Sequence, residues 1–491
     1  MRKLRRGEGV LVTCALLLLG DAVSLGAQEA WVQGRVELRP CQLPLYEGEA
    51  WCGDYEVWED REVEAGRRIA LRVGVLRAES PEPLADPVFI FNGGPGGAAT
   101  ELAAYVADDL REVRGRRHIV MVDRRGTGES NGLDCPEITG GHDLQRYFTD
   151  RGSEALARCR TILEERADLR LYTTPIAMDD IDEVREAMGY ERINLWGGSY
   201  GSREALVFLR RHPERVRSAI IWAVIPPHRN SLAGAGRHAQ QAMDRLLDDC
   251  AADDACRAAY PNLRQELEEV LHRLDEAPAR FVNSDSRLGD PDTITVTRDQ
   301  IGATLRFMLV SQGGASQIPA FVHAAYRGDF GPLGERALLQ RRLSPTAFSR
   351  GLFLSVICAE EVVRLPKEEL SEMFAGTFWG EPWVRGIVDD CSCWPKGELP
   401  SGYFEPVTGT TPVVVQHGWL DPITPPAWAD ELTHYLPNAR VMVIREGHHN
   451  FGYGDCGRRQ VAQFIGGLDP WSLDESCTVE MKRPPFLVPE R

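Results

Sequence analysis

The residue with the clearest capacity for chemistry is Ser199, in the run Gly197-Gly198-Ser199-Tyr200-Gly201. The flanking glycines let the chain turn sharply, so that the hydroxyl projects above its surroundings. A serine hydroxyl is a weak nucleophile until a neighbouring base takes its proton. Of eleven histidines, His448 and His449 stand out, because they follow the strand-like Val441-Met442-Val443-Ile444 through the short loop Arg445-Glu446-Gly447. His448, directly after Gly447, is the expected base, and His449 is the alternative. An acid should hold the imidazole and stabilise its charged form without taking the proton itself. Asp421 fits, because it follows the apolar run 412–415 after five intervening residues, whereas Asp430 falls in a helical stretch and Asp455 lies beyond the base. The developing oxyanion needs fixed backbone donors. The N–H of Tyr200 is one, and the glycine-rich turn Asn92-Gly93-Gly94-Pro95-Gly96-Gly97 offers the other at Gly94. Read as a phosphate cradle, that turn lacks both the Lys-Ser/Thr ending and the GxGxxG spacing.

These residues need a frame. Residues 51–78 alternate polar and apolar side chains, as antiparallel strands do. Beyond them, short apolar runs at 87–91, 118–122, 193–196, 219–224, 412–415 and 440–444 alternate with helical stretches at 175–189, 202–211, 426–436 and 457–466. Such alternation predicts a mostly parallel sheet covered by helices on both faces. With Ser199 between a strand and a helix, and the order Ser…Asp…His, the pattern is that of the α/β-hydrolase fold. The alternation breaks near Pro226-Pro227 and resumes near Pro412, across stretches such as 237–250 and 261–274 that read as helical. The expected organisation is therefore a signal segment at 1–27, core at 28–227, a mainly helical cap at 228–408 inserted after the sixth core strand, and core again at 409–491.

Four motifs together, GGPGG at 93–97, DRRGTGES at 123–130, GGSYGSREAL at 197–206 and HGWLDPITPP at 417–426, make the chain resemble the prolyl iminopeptidase and tripeptidyl-aminopeptidase group. The stretch 210–217, leading to Pro226-Pro227, resembles the secreted branch. The likeness covers most of the core, about 40–227 and 409–480, and only loosely the cap. It implies a serine exopeptidase that releases Pro or a short peptide from a free N-terminus. Many iminopeptidases carry His where this chain has Asn92, a departure that leaves the backbone oxyanion role intact. By resemblance, DRRGTGES is a structural turn, and the cap supplies an anion for the substrate's ammonium. Glu360 and Glu361, in the otherwise apolar stretch 352–363, are the candidates. Two other readings stay open: a carboxylester or amide hydrolase using the same triad, and a catalytically silent binding protein. The second is disfavoured because each triad position holds a competent residue. Ser at the turn also argues against dehalogenase and epoxide-hydrolase chemistry, which need Asp there.

Composition narrows the partners. The formal charge of −17 disfavours a nucleic-acid partner, which would draw on clustered Lys and Arg. A peptide or small molecule is the expected substrate, and oligomeric state has no sequence signal. Arg2, Lys3, Arg5 and Arg6 precede an apolar run from Val10 to Leu19 and the small residues Ser24, Gly26 and Ala27. That is the layout of a cleavable export signal, and it predicts a secreted or periplasmic protein with no membrane span in the mature chain. Cysteine usage agrees: after Cys14, the spacing favours local disulfides 41–52, 135–159, 250–256, 358–391 and 456–477, with Cys393 left over. No zinc-like Cys/His spacing is present, so no metal and no cofactor are expected.

Overall fold

The computed structural model describes residues 30–135 and 152–489. The export signal expected at 1–27 lies outside the described residues. Ten strands form one sheet: β1 (Trp31–Gln33), β2 (Val36–Leu43), β3 (Tyr46–Trp58), β4 (Arg68–Leu76), β5 (Val88–Phe91), β6 (Ile119–Val122), β7 (Ile193–Gly198), β8 (Val216–Trp222), β11 (Val413–Gly418) and β12 (Ala439–Ile444). Their spatial order is β1-β2-β3-β4-β6-β5-β7-β8-β11-β12. The strands from β1 to β4 pair antiparallel, β4 meets β6 antiparallel, and every pairing from β6 to β12 is parallel.

The parallel strands are short apolar runs because both faces are covered. In β5, Val88 and Ile90 enter one core, with Ala103, Val106 and Phe464, while Phe89 and Phe91 enter the other, with Met178, Ile181 and Phe208. The first core lies under the segment 99–113 and the helix Gly454–Gly467, the second under the helices Thr174–Ala187 and Tyr200–Arg211. Parallel direction carries a consequence for chemistry. The C-terminal ends of β5, β7, β8, β11 and β12 all reach the same edge of the sheet.

Between β8 and β11 the chain leaves the sheet. It forms the helices Ala235–Ala252, Leu263–Glu276, Arg298–Met308, Ile318–Tyr326, Gly331–Ala347, Arg350–Glu360 and Pro382–Cys393, which bury a third apolar cluster. Counted from β3, β8 is the sixth strand. Four strands were not in the sequence expectation. The strands β1 and β2 extend the sheet beyond residue 51, and an antiparallel pair, β9 (Ala279–Val282) with β10 (Thr293–Val296), interrupts the helices. The alternation Thr293-Ile294-Thr295-Val296 after Gly289-Asp290-Pro291 was the available signal for the antiparallel pair.

The structure pairs Cys41–Cys52, Cys135–Cys159, Cys250–Cys256, Cys358–Cys391 and Cys456–Cys477, the five pairs expected from spacing, and leaves Cys393 as a thiol. Among the described residues no helix is long and apolar enough to cross a membrane.

Candidate active site

Ser199 stands where β7 ends and the helix Tyr200–Arg211 begins, with φ 55° and ψ −126°. That left-handed backbone is costly for a residue with a Cβ and persists only where its surroundings enforce it. They do so here. The Ser199 N–H donates to the Trp222 carbonyl at the end of β8 (3.0 Å), and its carbonyl accepts from Ser202 N (2.9 Å) and Ser202 Oγ (2.5 Å). The tight turn also explains the motif's glycines. A Cβ on Gly198 would sit 1.9 Å from the Trp222 ring, and one on Gly201 2.3 Å from the Phe91 carbonyl.

The acid lies just past β11. Asp421 is buried, and its Oδ1 accepts the N–H groups of Ile423 (2.8 Å) and Thr424 (2.9 Å). Its Oδ2 accepts Thr424 Oγ1 (2.5 Å) and His449 Nδ1 (2.9 Å). Burial alone would raise this carboxyl. The His449 imidazole, His417 and the Thr424 hydroxyl outweigh it and hold Asp421 well below the usual carboxylate range. His449 therefore presents Nδ1–H to a carboxylate, which leaves Nε2 as the proton acceptor.

The expected base, His448, is not on the acid. Its ring is fully buried, and Nδ1 donates to the Leu309 carbonyl of the cap (2.6 Å). The reason is local. In the irregular stretch after the turn at 445–446, the two rings leave the chain in different directions, so one histidine of the pair enters the cap interface and the other meets Asp421. The loop is fixed in that register by Asn450 N to Val310 O (2.8 Å), Leu420 N to Gly447 O (2.9 Å) and Gln312 Nε2 to Glu446 O (3.1 Å). His449 thus replaces His448 as the partner of Asp421. Strand spacing gives the remaining dimension. With β8 between them, β7 and β11 are about 10 Å apart, a gap of the size that a carboxylate and an imidazole in line can span.

Beside the serine runs the turn after β5. A Cβ on Gly93 would lie 3.5 Å from Ser199 Cβ and 3.9 Å from its Oγ. Asn92 organises this turn: Oδ1 accepts Gly93 N (2.7 Å) and Nδ2 donates to Ala98 O (2.7 Å). With the Gly93 N–H so used, Gly94, at φ 123°, is the next donor along the turn. Arg124 ties the turn to the serine's helix through Asn92 O (3.2 Å) and Glu204 Oε2 (2.7 Å), with its guanidinium over the Tyr200 ring.

The profile of the family described as alpha/beta hydrolase fold matches residues 86–455. The chain belongs to that family. Among its relatives, serine protease Hip1 of Mycobacterium tuberculosis is 25% identical over 504 residues, covering 94% of each chain. Tripeptidyl aminopeptidase of Streptomyces lividans is 27% identical over 195 residues, 37% of this chain and 36% of its own. Proline iminopeptidase of Neisseria gonorrhoeae is 28% identical over 147 residues, 30% of this chain and 35% of its own. The resemblance read from the four motifs is thus found again in named relatives.

In this α/β hydrolase the two glutamates expected to bind substrate are sealed inside. Glu360 accepts from Thr174 N (2.8 Å), Thr174 Oγ1 (2.7 Å) and Tyr403 OH, and Glu361 pairs with Arg203 and accepts Ser231 N (2.7 Å). Neither is exposed. An arriving ammonium would have to displace several protein donors, so the expectation of a binding role is corrected to a buried ion network. Sequence reasoning also passed over Thr424, which clamps both carboxylate oxygens of Asp421. Its signal was Asp-Pro-x-Thr, a side chain that can hydrogen-bond its own turn.

The His448 environment leads to a stability prediction. Burial pushes its pKa down to about 4, so the folded chain holds it neutral while the unfolded chain protonates near 6.5. A depressed histidine contributes stability that is complete above pH 6.5 and is lost as pH falls from 6.5 towards 4. The shift corresponds to about 3 kcal/mol. Chemical denaturation of the wild type should show that loss between pH 7 and pH 4, and His448→Asn should show a fall shallower by about that amount. His118 and His238, also held near 4 by burial, add losses of the same sign to both proteins.

Proposed function

We propose that this α/β hydrolase is an exported serine peptidase of aminopeptidase type. Ser199 attacks the carbonyl of a peptide bond while His449 Nε2 takes its proton. Asp421 keeps the Nδ1–H tautomer and stabilises the imidazolium. The N–H groups of Tyr200 and Gly94 receive the oxyanion. Collapse of the tetrahedral intermediate expels the amine, which takes the proton from His449, and leaves an acyl-enzyme on Ser199. Water, deprotonated by the same imidazole, then releases the acid. The observation that carries the reading is the 2.9 Å contact of His449 Nδ1 with buried Asp421, at the sheet edge where strained Ser199 also emerges. Peptide as substrate is supported by the names of the relatives, and export by five disulfides together with the basic, apolar and small-residue order of 1–27.

The test joins labelling to a substrate panel. A fluorophosphonate should modify Ser199 and no other residue. Aminoacyl, dipeptidyl and tripeptidyl chromogenic amides should be cleaved with a free N-terminus and resisted when acetylated. Equal cleavage of both forms would favour carboxylester or amide hydrolysis. That second reading has one observation behind it, the sealing of Glu360 and Glu361, which takes away the expected ammonium partner. Asp421→Asn should lower kcat by about 10⁴, because an amide fixes the wrong tautomer without moving the ring. Steady-state kinetics on the best amide would check it, and a loss below tenfold would remove Asp421 from the triad.

A further inference from the structure

Arg306 is a half-buried cation of the cap that forms no ion pair among the described residues. Arg306 lies on the helix Arg298–Met308, and the two residues after that helix hold the loop of the base: Leu309 O accepts from His448, and Val310 O from Asn450. Its guanidinium rests over buried Trp379, 4.3 Å from the ring centroid, with exposed Trp383 at 5.7 Å. Among the described residues no hydrogen bond or ion pair reaches it, and Nε is buried without a partner.

Arginines that are fully buried are paired. Arg124 faces Glu204, Arg125 faces Asp180 and Arg203 faces Glu361. Arg306 instead shares the field of Asp421 and of His238, whose ring stands edge-on to Trp428 at 5.2 Å. Asp421 is engaged by His449 and Thr424 and attracts Arg306 only across a distance, with no direct ion pair between them. Holding a half-buried guanidinium unpaired is costly. Stacking on an indole also leaves the in-plane N–H groups free, in the fork geometry that matches a planar carboxylate.

We propose that Arg306, backed by Trp379, is an anion subsite beside the triad that binds a carboxylate of the substrate, either the C-terminal carboxylate of a short peptide or an acidic side chain. The proposal rests on the triad reading for its place in catalysis but not for its binding test. Calorimetric titration of the Ser199→Ala protein measures binding without turnover, and three probes separate the sources: tetra-alanine, its C-terminal amide, and Ala-Ala-Asp-Ala amide. At least one of the two carboxylate-bearing peptides should bind tenfold or more tightly than tetra-alanine amide, which has no carboxylate, and the one that does identifies the source. Arg306→Met added to Ser199→Ala should abolish that preference, a loss of about tenfold to a hundredfold for a charged hydrogen-bonded pair. Arg306→Lys should restore part of it. Fluorophosphonate labelling of the otherwise wild-type enzyme tests Ser199 independently of the subsite. Equal affinity for the peptides with and without a carboxylate, or an equal loss for all three in Arg306→Met, would overturn the subsite. Failure of labelling with the binding preference intact would instead overturn the triad.

Discussion

Replacing His449 by alanine is expected to lower kcat by about 10⁶, as loss of a triad histidine does where the three residues act as a unit. His448→Asn should stay within about tenfold of the wild type. The contrast follows from what each ring touches. His449 Nδ1 meets Asp421 at 2.9 Å, whereas His448 Nδ1 meets the Leu309 carbonyl at 2.6 Å, on the cap side of the loop. Asparagine carries an N–H donor close to the Nδ1 position, so the cap anchor survives in that variant while the imidazole is gone. Steady-state kinetics with matched thermal melts separate the two roles. Full activity in His449→Ala, or a 10⁶ loss in folded His448→Asn, would return the base to residue 448.

The pair shows where sequence ran out. The places of Ser199 and Asp421 in the fold were legible because local spacing announces them: a glycine-framed turn between strand and helix, and a carboxylate just past a buried strand. The five disulfides were legible because each closes a short stretch between cysteines that have few rivals nearby. The choice between two adjacent histidines has no such signal. It is set by the path of the loop, which passes so close to β11 that a Cβ on Gly418 would lie 2.2 Å from the His448 carbonyl. That is a tertiary contact between residues thirty apart.

Glu360 and Glu361 illustrate a signal that was present and misread. The helix Arg350–Glu360 is apolar on nearly every side, and such a helix is buried all round. Carboxylates at its end had to be enclosed with it, which made a guanidinium such as Arg203 a more natural partner than a substrate from solvent. A half-buried charge that forms no ion pair is instead a cation, Arg306, on a helix where sequence offered no chemical motif. The same logic explains why the strands β9 and β10 were missed. Short runs between two long helical stretches carry little periodicity of their own, and their pairing depends on the cap closing around Phe281 and Ile294.

Ser199→Ala should cost about 10⁶ in kcat, and combining it with His449→Ala should cost little more. Once the nucleophile is gone, a base positioned to activate it has nothing to deprotonate, so the two losses cannot add. The residual rate should still exceed the uncatalysed one by about 10³ to 10⁴, because the donors around Gly94 and Tyr200 are main chain and survive both substitutions. Folding should be untouched. The strained backbone at residue 199 is held by Trp222 O, and by glycines at 198 and 201 that admit the Trp222 ring and the Phe91 carbonyl, none of which involves the serine oxygen. Alanine keeps the Cβ that the turn already tolerates, so stability should change by no more than about 0.5 kcal/mol. Single-turnover kinetics of the two single variants and the double variant, with denaturant melts of each, test this directly. A double variant worse than either single by a further 10³ would mean that His449 acts on something other than Ser199, and the proton path drawn here from hydroxyl to imidazole would have to be abandoned.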